Sequence, residues 1–158
     1  MTGTRPAPTA PELEQQEQRL RLSRFDNDDA WRLGCLLVEL ARSRGLAVTV
    51  DVRRGEQQLF HCALPGTSAD NDAWIERKTR VVRRYGESSY LVGRRFLDRG
   101  SSFEEKSRLD PDRFAAHGGA FPLFVTDVGV VGTVAVSGLP QLQDHLLVVE
   151  ALERFLAR

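Results

Sequence analysis

Leu46-Ala47-Val48-Thr49-Val50-Asp51-Val52-Arg53-Arg54-Gly55-Glu56-Gln57-Gln58-Leu59-Phe60-His61-Cys62-Ala63-Leu64 decides the fold. Leu46, Val48, Val50 and Val52 alternate with Ala47, Thr49 and Asp51, the period of a strand with two unlike faces. Arg53 to Glu56 carries the turn, and Gln57 to Leu64 reads as a second strand. A hairpin of this kind argues for antiparallel pairing. Its register has two solutions. A two- or four-residue loop sets His61 opposite Val48, whereas a three-residue loop sets the valines opposite Phe60 and Cys62 and gathers Thr49, Asp51 and His61 on one face.

Upstream, Asp26 to Asp29 supply a cap and first-turn acids for a helix whose Leu33, Leu36, Leu37 and Leu40 share one face, with Gly45 as its stop. Before it, Pro11 to Leu22 is rich in Glu and Gln and predicts a surface helix anchored by Leu13, Leu20 and Leu22. Residues 1–10 have no apolar stretch of the secretory kind, so we expect a flexible tail, a cytoplasmic protein, and one domain over 11–158.

Downstream, Asp70-Asn71-Asp72 opens a helix through Trp74, Ile75, Val81 and Val82 to Tyr85-Gly86, and Ser88 caps another running to Gly100. Residues 100–110 read as a polar loop, and Asp110-Pro111 starts a short helical turn that stops at His117-Gly118-Gly119. Phe121–Thr126 and Gly129–Ser137 then form a second hairpin about Asp127-Val128. Val130, Val134 and Val136 line one face of its second strand, and Val131 and Ala135 the other, so this strand belongs in the middle of a covered sheet. The order predicts an α+β fold: a central, mostly antiparallel sheet of four to five strands covered by helices. In the last helix Leu142, Leu146, Val149 and Leu156 define a stripe that Leu147, Val148, Ala151 and Phe155 widen, leaving Gln143, Glu150, Arg154 and Ala157 as the solvent strip. That excess predicts packing on the sheet and on a second copy of the chain.

The 158 residues carry 22 basic and 22 acidic side chains, so net charge gives no reason to expect a nucleic-acid partner. No apolar run is long enough for a membrane span. Cys35 and Cys62 lack metal or redox spacing and read as small hydrophobes. Asp127-Val128-Gly129-Val130-Val131-Gly132 leads into a strand, so it is no dinucleotide loop, and Ser137 lacks the surroundings of a nucleophile elbow.

What remains for chemistry is three histidines and a basic run. His61, His117 and His145 are each candidate ligands for iron or zinc, or proton carriers, because neutral imidazole is both a metal ligand and a base near pH 7. The N–H groups of Gly118 and Gly119 beside His117 are a candidate anion-binding concavity. Between Arg77 and Arg99 eight basic residues, Arg77 and Arg84 among them, face two acidic ones. That run is either a solvated helix face, an anion or propionate site, or a contact with the acidic helices of another copy. No complete catalytic constellation is present, so the residues do not by themselves define an enzyme.

Asp51-Val52-Arg53, Gln57-Gln58-Leu59-Phe60-His61, Pro65-Gly66-Thr67, Asp70-Asn71-Asp72-Ala73-Trp74-Ile75-Glu76-Arg77-Lys78, His117-Gly118-Gly119-Ala120-Phe121-Pro122, Gly129 through Gln141 and Asp144-His145 together resemble the haem-degrading-domain family, in its uncharacterised-protein branch. That family includes HbpS, GlcG and the C-terminal domain of PduO-type proteins. The resemblance spans about residues 23–157 and implies an HbpS/GlcG-like, profilin-like domain assembled as a dimer or a ring of dimers. It also implies haem or a related tetrapyrrole as a possible ligand; the chain's own candidates for it are one of His61, His117 or His145 on the iron and arginines such as Arg77 or Arg84 on the propionates. The alternative is a noncatalytic assembly module that recruits a protein partner or a small ligand. A fungal protein linked to tail-anchored-protein targeting is similar to this branch, which implies scaffold roles.

Overall fold

In a computed structural model, which describes residues 6–157, the elements are α1 (Ala10–Arg19), α2 (Asn27–Ser43), β1 (Thr49–Arg54), β2 (Gln57–Ala63), α3 (Ala69–Tyr85), α4 (Ser89–Asp98), α5 (Phe103–Ser107), β3 (Ala120–Val125), β4 (Gly129–Ser137) and α6 (Gln141–Leu156). The two hairpins fuse into one antiparallel sheet in the order β2-β1-β4-β3, with β4 in the interior as its two apolar faces require. The α+β expectation holds, with four strands. Of the expected tail, residues 1–5 lie outside the described residues, and α1 begins at Ala10 behind a Thr9 cap.

The β1–β2 register is the one that sets Val50 opposite Cys62 and Val52 opposite Phe60. The chain reaches it with a two-residue Gly55-Glu56 turn and an irregularity after Val52 that leaves Leu59 unmatched. Gly55 takes φ +57°, which a side chain would resist. The pairing sorts the two faces. Val50, Val52, Phe121, Leu123, Val134 and Val136 pack under α2 and α6 in the main core. On the other face small residues, Ala120 and Ala135, let α3 approach through Ile75 and Val82. That face also buries Thr49, Asp51, Arg53 and Thr133.

Residues 100–110 depart from the expected loop. Ser102 caps the short helix α5, whose buried Phe103 packs with Val81, Val92 and Ala116. On α6 the expected Leu147, Val148, Val149 and Ala151 are buried, together with Asp144 and Leu152, whereas Leu146 is 43% exposed and Leu156 37%. The Asp144 carboxylate is tied to the loop before the helix and to α3. Both cysteines are half-buried, on the flank where α2 meets β2. No helix among the described residues is long and apolar enough to cross a membrane.

The candidate functional site

The sequence carries an unusual signal on α3. Ile75, Lys78 and Val82 fall at i, i+3 and i+7, which places a lysine on the apolar face. Lys78 is 2% exposed, and its Nζ lies 2.6 Å from the Val136 carbonyl, 3.1 Å from that of Gly118 and 3.4 Å from Asp144 Oδ2. Three acceptors around one nitrogen call for three hydrogens, so the group is an ammonium. Asp144 in turn accepts from the N–H of Leu139 at 2.9 Å and of Gly138 at 3.4 Å. Burial pulls Lys78 down and pushes Asp144 up, and each partner's charge opposes that shift. The pair pins the end of β4, the His117-Gly118-Gly119 loop and the start of α6 to α3.

Above this floor opens a cleft of about 250 Å3, walled by Asn71 and Trp74 from α3, by His117 and Gly118, and by Ser137 to Leu139 and Gln141. Asn71 Nδ2 donates to Ser137 Oγ at 3.3 Å. The ring of His117 lies against Trp74 with centroids 5.1 Å apart, and the Arg77 guanidinium covers the same indole at 4.3 Å. Arg77 is held there by its Nε, which donates to the Pro111 carbonyl at 3.0 Å.

The candidate residues part company. His61 stands on the exposed β2 face with Nε2 2.6 Å from Asp72. His145 is 1% exposed, with Nε2 2.9 Å from Gln16 Oε1, its ring stacked on Tyr90, and Nδ1 buried without a partner. Burial drops its pKa to about 4. His117 is half-buried in the cleft, is pushed below the ordinary imidazole value chiefly by burial, and makes no hydrogen bond through its ring among the described residues. The histidines therefore do not converge, and no trio of His, Cys, Asp or Glu among the described residues is placed to hold a metal ion.

The glycine concavity is filled from within the chain. Gly118 N–H donates to Gln141 Oε1 at 3.0 Å, and a side chain on Gly119 would meet Lys78, Val136 and Asp144. Of the two candidate arginines, Arg77 reaches the cleft's edge, while Arg84 lines a separate groove further along α3. Sequence reasoning did not assign Lys78, Trp74 or Asp144 to a site. The lysine on an apolar helix face was the available signal.

The fold is a small α+β domain with a cleft between the start of α3, the loop after His117 and the end of β4. A model of the family described as haem degrading protein HbpS-like matches residues 25–153, and the chain belongs to that family. A UPF0303 protein of Streptomyces avermitilis is 67% identical, covering 100% of this chain and 97% of the relative. The crystal structure of Ybr137w protein superposes with a TM-score of 0.87 at 32% identity, covering 94% of this chain and 88% of that one. A structure of PduOC in complex with haem shares the fold at 17% identity and a TM-score of 0.68, covering 82% and 93% of the two chains.

Proposed function

We propose that the protein is a noncatalytic, self-assembling binder of haem or a related tetrapyrrole, held at the mouth of the His117 cleft. The observation that carries this reading is that His117, alone among the three histidines, keeps both ring nitrogens without a hydrogen-bond partner in an accessible cleft. Its depressed pKa keeps the imidazole neutral at pH 7, the form that ligates iron. Trp74 braces the imidazole, and Arg77, stacked on that indole, offers a cation for a propionate. The haem complex of PduOC supports the ligand class. A bound haem would supply a redox-active iron; of this chain's residues, His117 would hold the iron, Trp74 would wall the site and Arg77 would supply a counter-charge.

The cleft, at about 250 Å3, falls just short of the ~300–1,000 Å3 typical of ligand sites. A macrocycle is too large to enter a cleft of this size and would have to lie across its mouth. Titration with haemin is expected to give a saturating Soret band at one equivalent per chain. His117→Ala should abolish it and His61→Ala should leave it. A featureless, non-saturating spectrum from the wild type ends this reading.

Self-assembly has its own support. The β3 edge is shielded, because Leu22 exchanges backbone hydrogen bonds of 2.8 and 2.9 Å with Phe124 and Thr126. The β2 edge has no such cover among the described residues, and beside it Trp31 is 63% exposed against Phe60. We propose that this flank and the exposed leucines of α6 meet further copies. Light scattering should return a multiple of 17.7 kDa, and Trp31→Lys should lower it. A wild-type monomer at micromolar concentration overturns the assembly.

A further inference from the structure

Beyond the His117 cleft, toward the C-terminal end of α3, the helix, β1 and the turn before His117 border a second, open groove of about 640 Å3. Arginines reach it from all three segments: Arg53 from β1, Arg80, Arg83 and Arg84 from α3, and Arg113 from the turn. Against these five stand two carboxylates, Glu56 and Glu76, so the lining carries +3 in a chain with no net charge. Such a concentration of one sign attracts an approaching anion.

The cations are not equally engaged. Arg53 is buried and spent, with Nε 2.8 Å from Asp51 and Nη2 2.6 Å from Glu76. Arg80 donates to the Arg113 carbonyl at 3.2 Å and stands 3.7 Å from Glu76. The guanidiniums of Arg83, Arg84 and Arg113 have neither a carboxylate nor a hydrogen-bond acceptor in reach among the described residues. Arg83 is exposed at the groove's rim, where partial desolvation and then the nearby charge of Arg53 pull it below the ordinary arginine value against the opposing charges of Glu76 and Glu56. An anion placed among them would relieve that repulsion, and planar guanidiniums match the two-oxygen edge of phosphate and carboxylate. Phe114 adds an apolar wall.

We propose that this groove binds a small molecule bearing clustered oxyanions, gripped by Arg83, Arg84 and Arg113. The site is independent of the His117 cleft. Phosphorylated and polycarboxylate molecules share the required chemistry, and two probes tell them apart.

Isothermal titration of the full chain with inorganic pyrophosphate and, separately, with citrate should show one saturable site per chain that weakens as salt is raised. Saturation by either probe alone names the source, and saturation by both supports the shared chemistry. Arg83→Gln/Arg84→Gln should weaken binding roughly tenfold or more. Arg94→Gln should not, because Arg94 pairs with Asp98 outside the groove. Arg113→Gln, on an exposed turn, gives the same reading should the double variant fail to melt cooperatively. No saturable heat with either probe overturns the proposal. So do groove variants that bind as the wild type does, or a salt-reversible self-association that the same variants abolish without any ligand saturation.

Discussion

Asp144→Ala is expected to destabilise the protein by about 3–5 kcal/mol, the cost of leaving a buried cation without its counter-ion. Lys78 is 2% exposed, and its two remaining partners are neutral carbonyls. The substitution also strips the Gly138 and Leu139 N–H groups of their acceptor, at the point where α6 begins. In a chain of this size the loss lowers Tm by roughly 6–20 °C. The companion is Lys78→Met/Asp144→Leu, which removes both charges together and is expected to recover a large part of the stability. Urea unfolding at neutral pH measures all of them. A loss under about 1 kcal/mol for Asp144→Ala would mean that the ammonium is already solvated or neutral.

The second large effect is one of pH, and in the wild type it is concealed. His145 titrates at about 4 when folded, against 6.5 for the free side chain, because burial opposes its charged form. A depressed histidine contributes stability that is complete above pH 6.5 and drains away as pH falls toward 4. Glu17 runs the other way. Burial, reinforced by Glu87, lifts its carboxyl to about 7 from 4.5 despite bonds from the Ser88 N–H and hydroxyl. Its contribution is complete below pH 4.5 and is lost as pH rises through 7.

Displacements of this size are each worth on the order of 3 kcal/mol, so the two nearly cancel between pH 4.5 and 6.5. Glu17→Gln should therefore unmask a fall in stability on acidification through this window, and His145→Phe a fall on going from acid to neutral pH. Comparison with wild type cancels the titrations common to all three, among them Asp26, Glu76 and Glu150, whose lowered pKa values place their losses below about pH 4.5. Parallel pH profiles for the wild type and both variants would refute the opposing pair.

Much of this was legible in the chain. The strand alternation about Val48, Val50 and Val52, the Asp26 and Ser88 caps and the two-faced apolar pattern of β4 are local signals, and each element appeared where its signal stood. The hairpin register was not local. It depended on an irregularity after Val52 whose benefit is to seat Phe60 against Gly34 of α2, a contact between elements. Likewise α5 rests on a short Ser-capped segment that becomes helical by burying Phe103 against α3 and α4.

The candidate site divides in the same way. His117 was visible as a residue type beside two glycines, but its rank among the histidines came from what occupies the others: Asp72 on His61, and Gln16, far off in sequence, on His145. Gly118 and Gly119, which alone read as an anion nest, are claimed by Gln141 and by the crowding of Lys78.

The sequence by itself determined the four strands and the longer helices, that the pairing is antiparallel, and which family the chain resembles, because caps, period and motif order act over a few residues. Only the tertiary structure decided which titratable groups are free. Availability depends on desolvation and on partners brought together from distant positions, as Lys78 and Asp144 are, and neither is written in the local pattern.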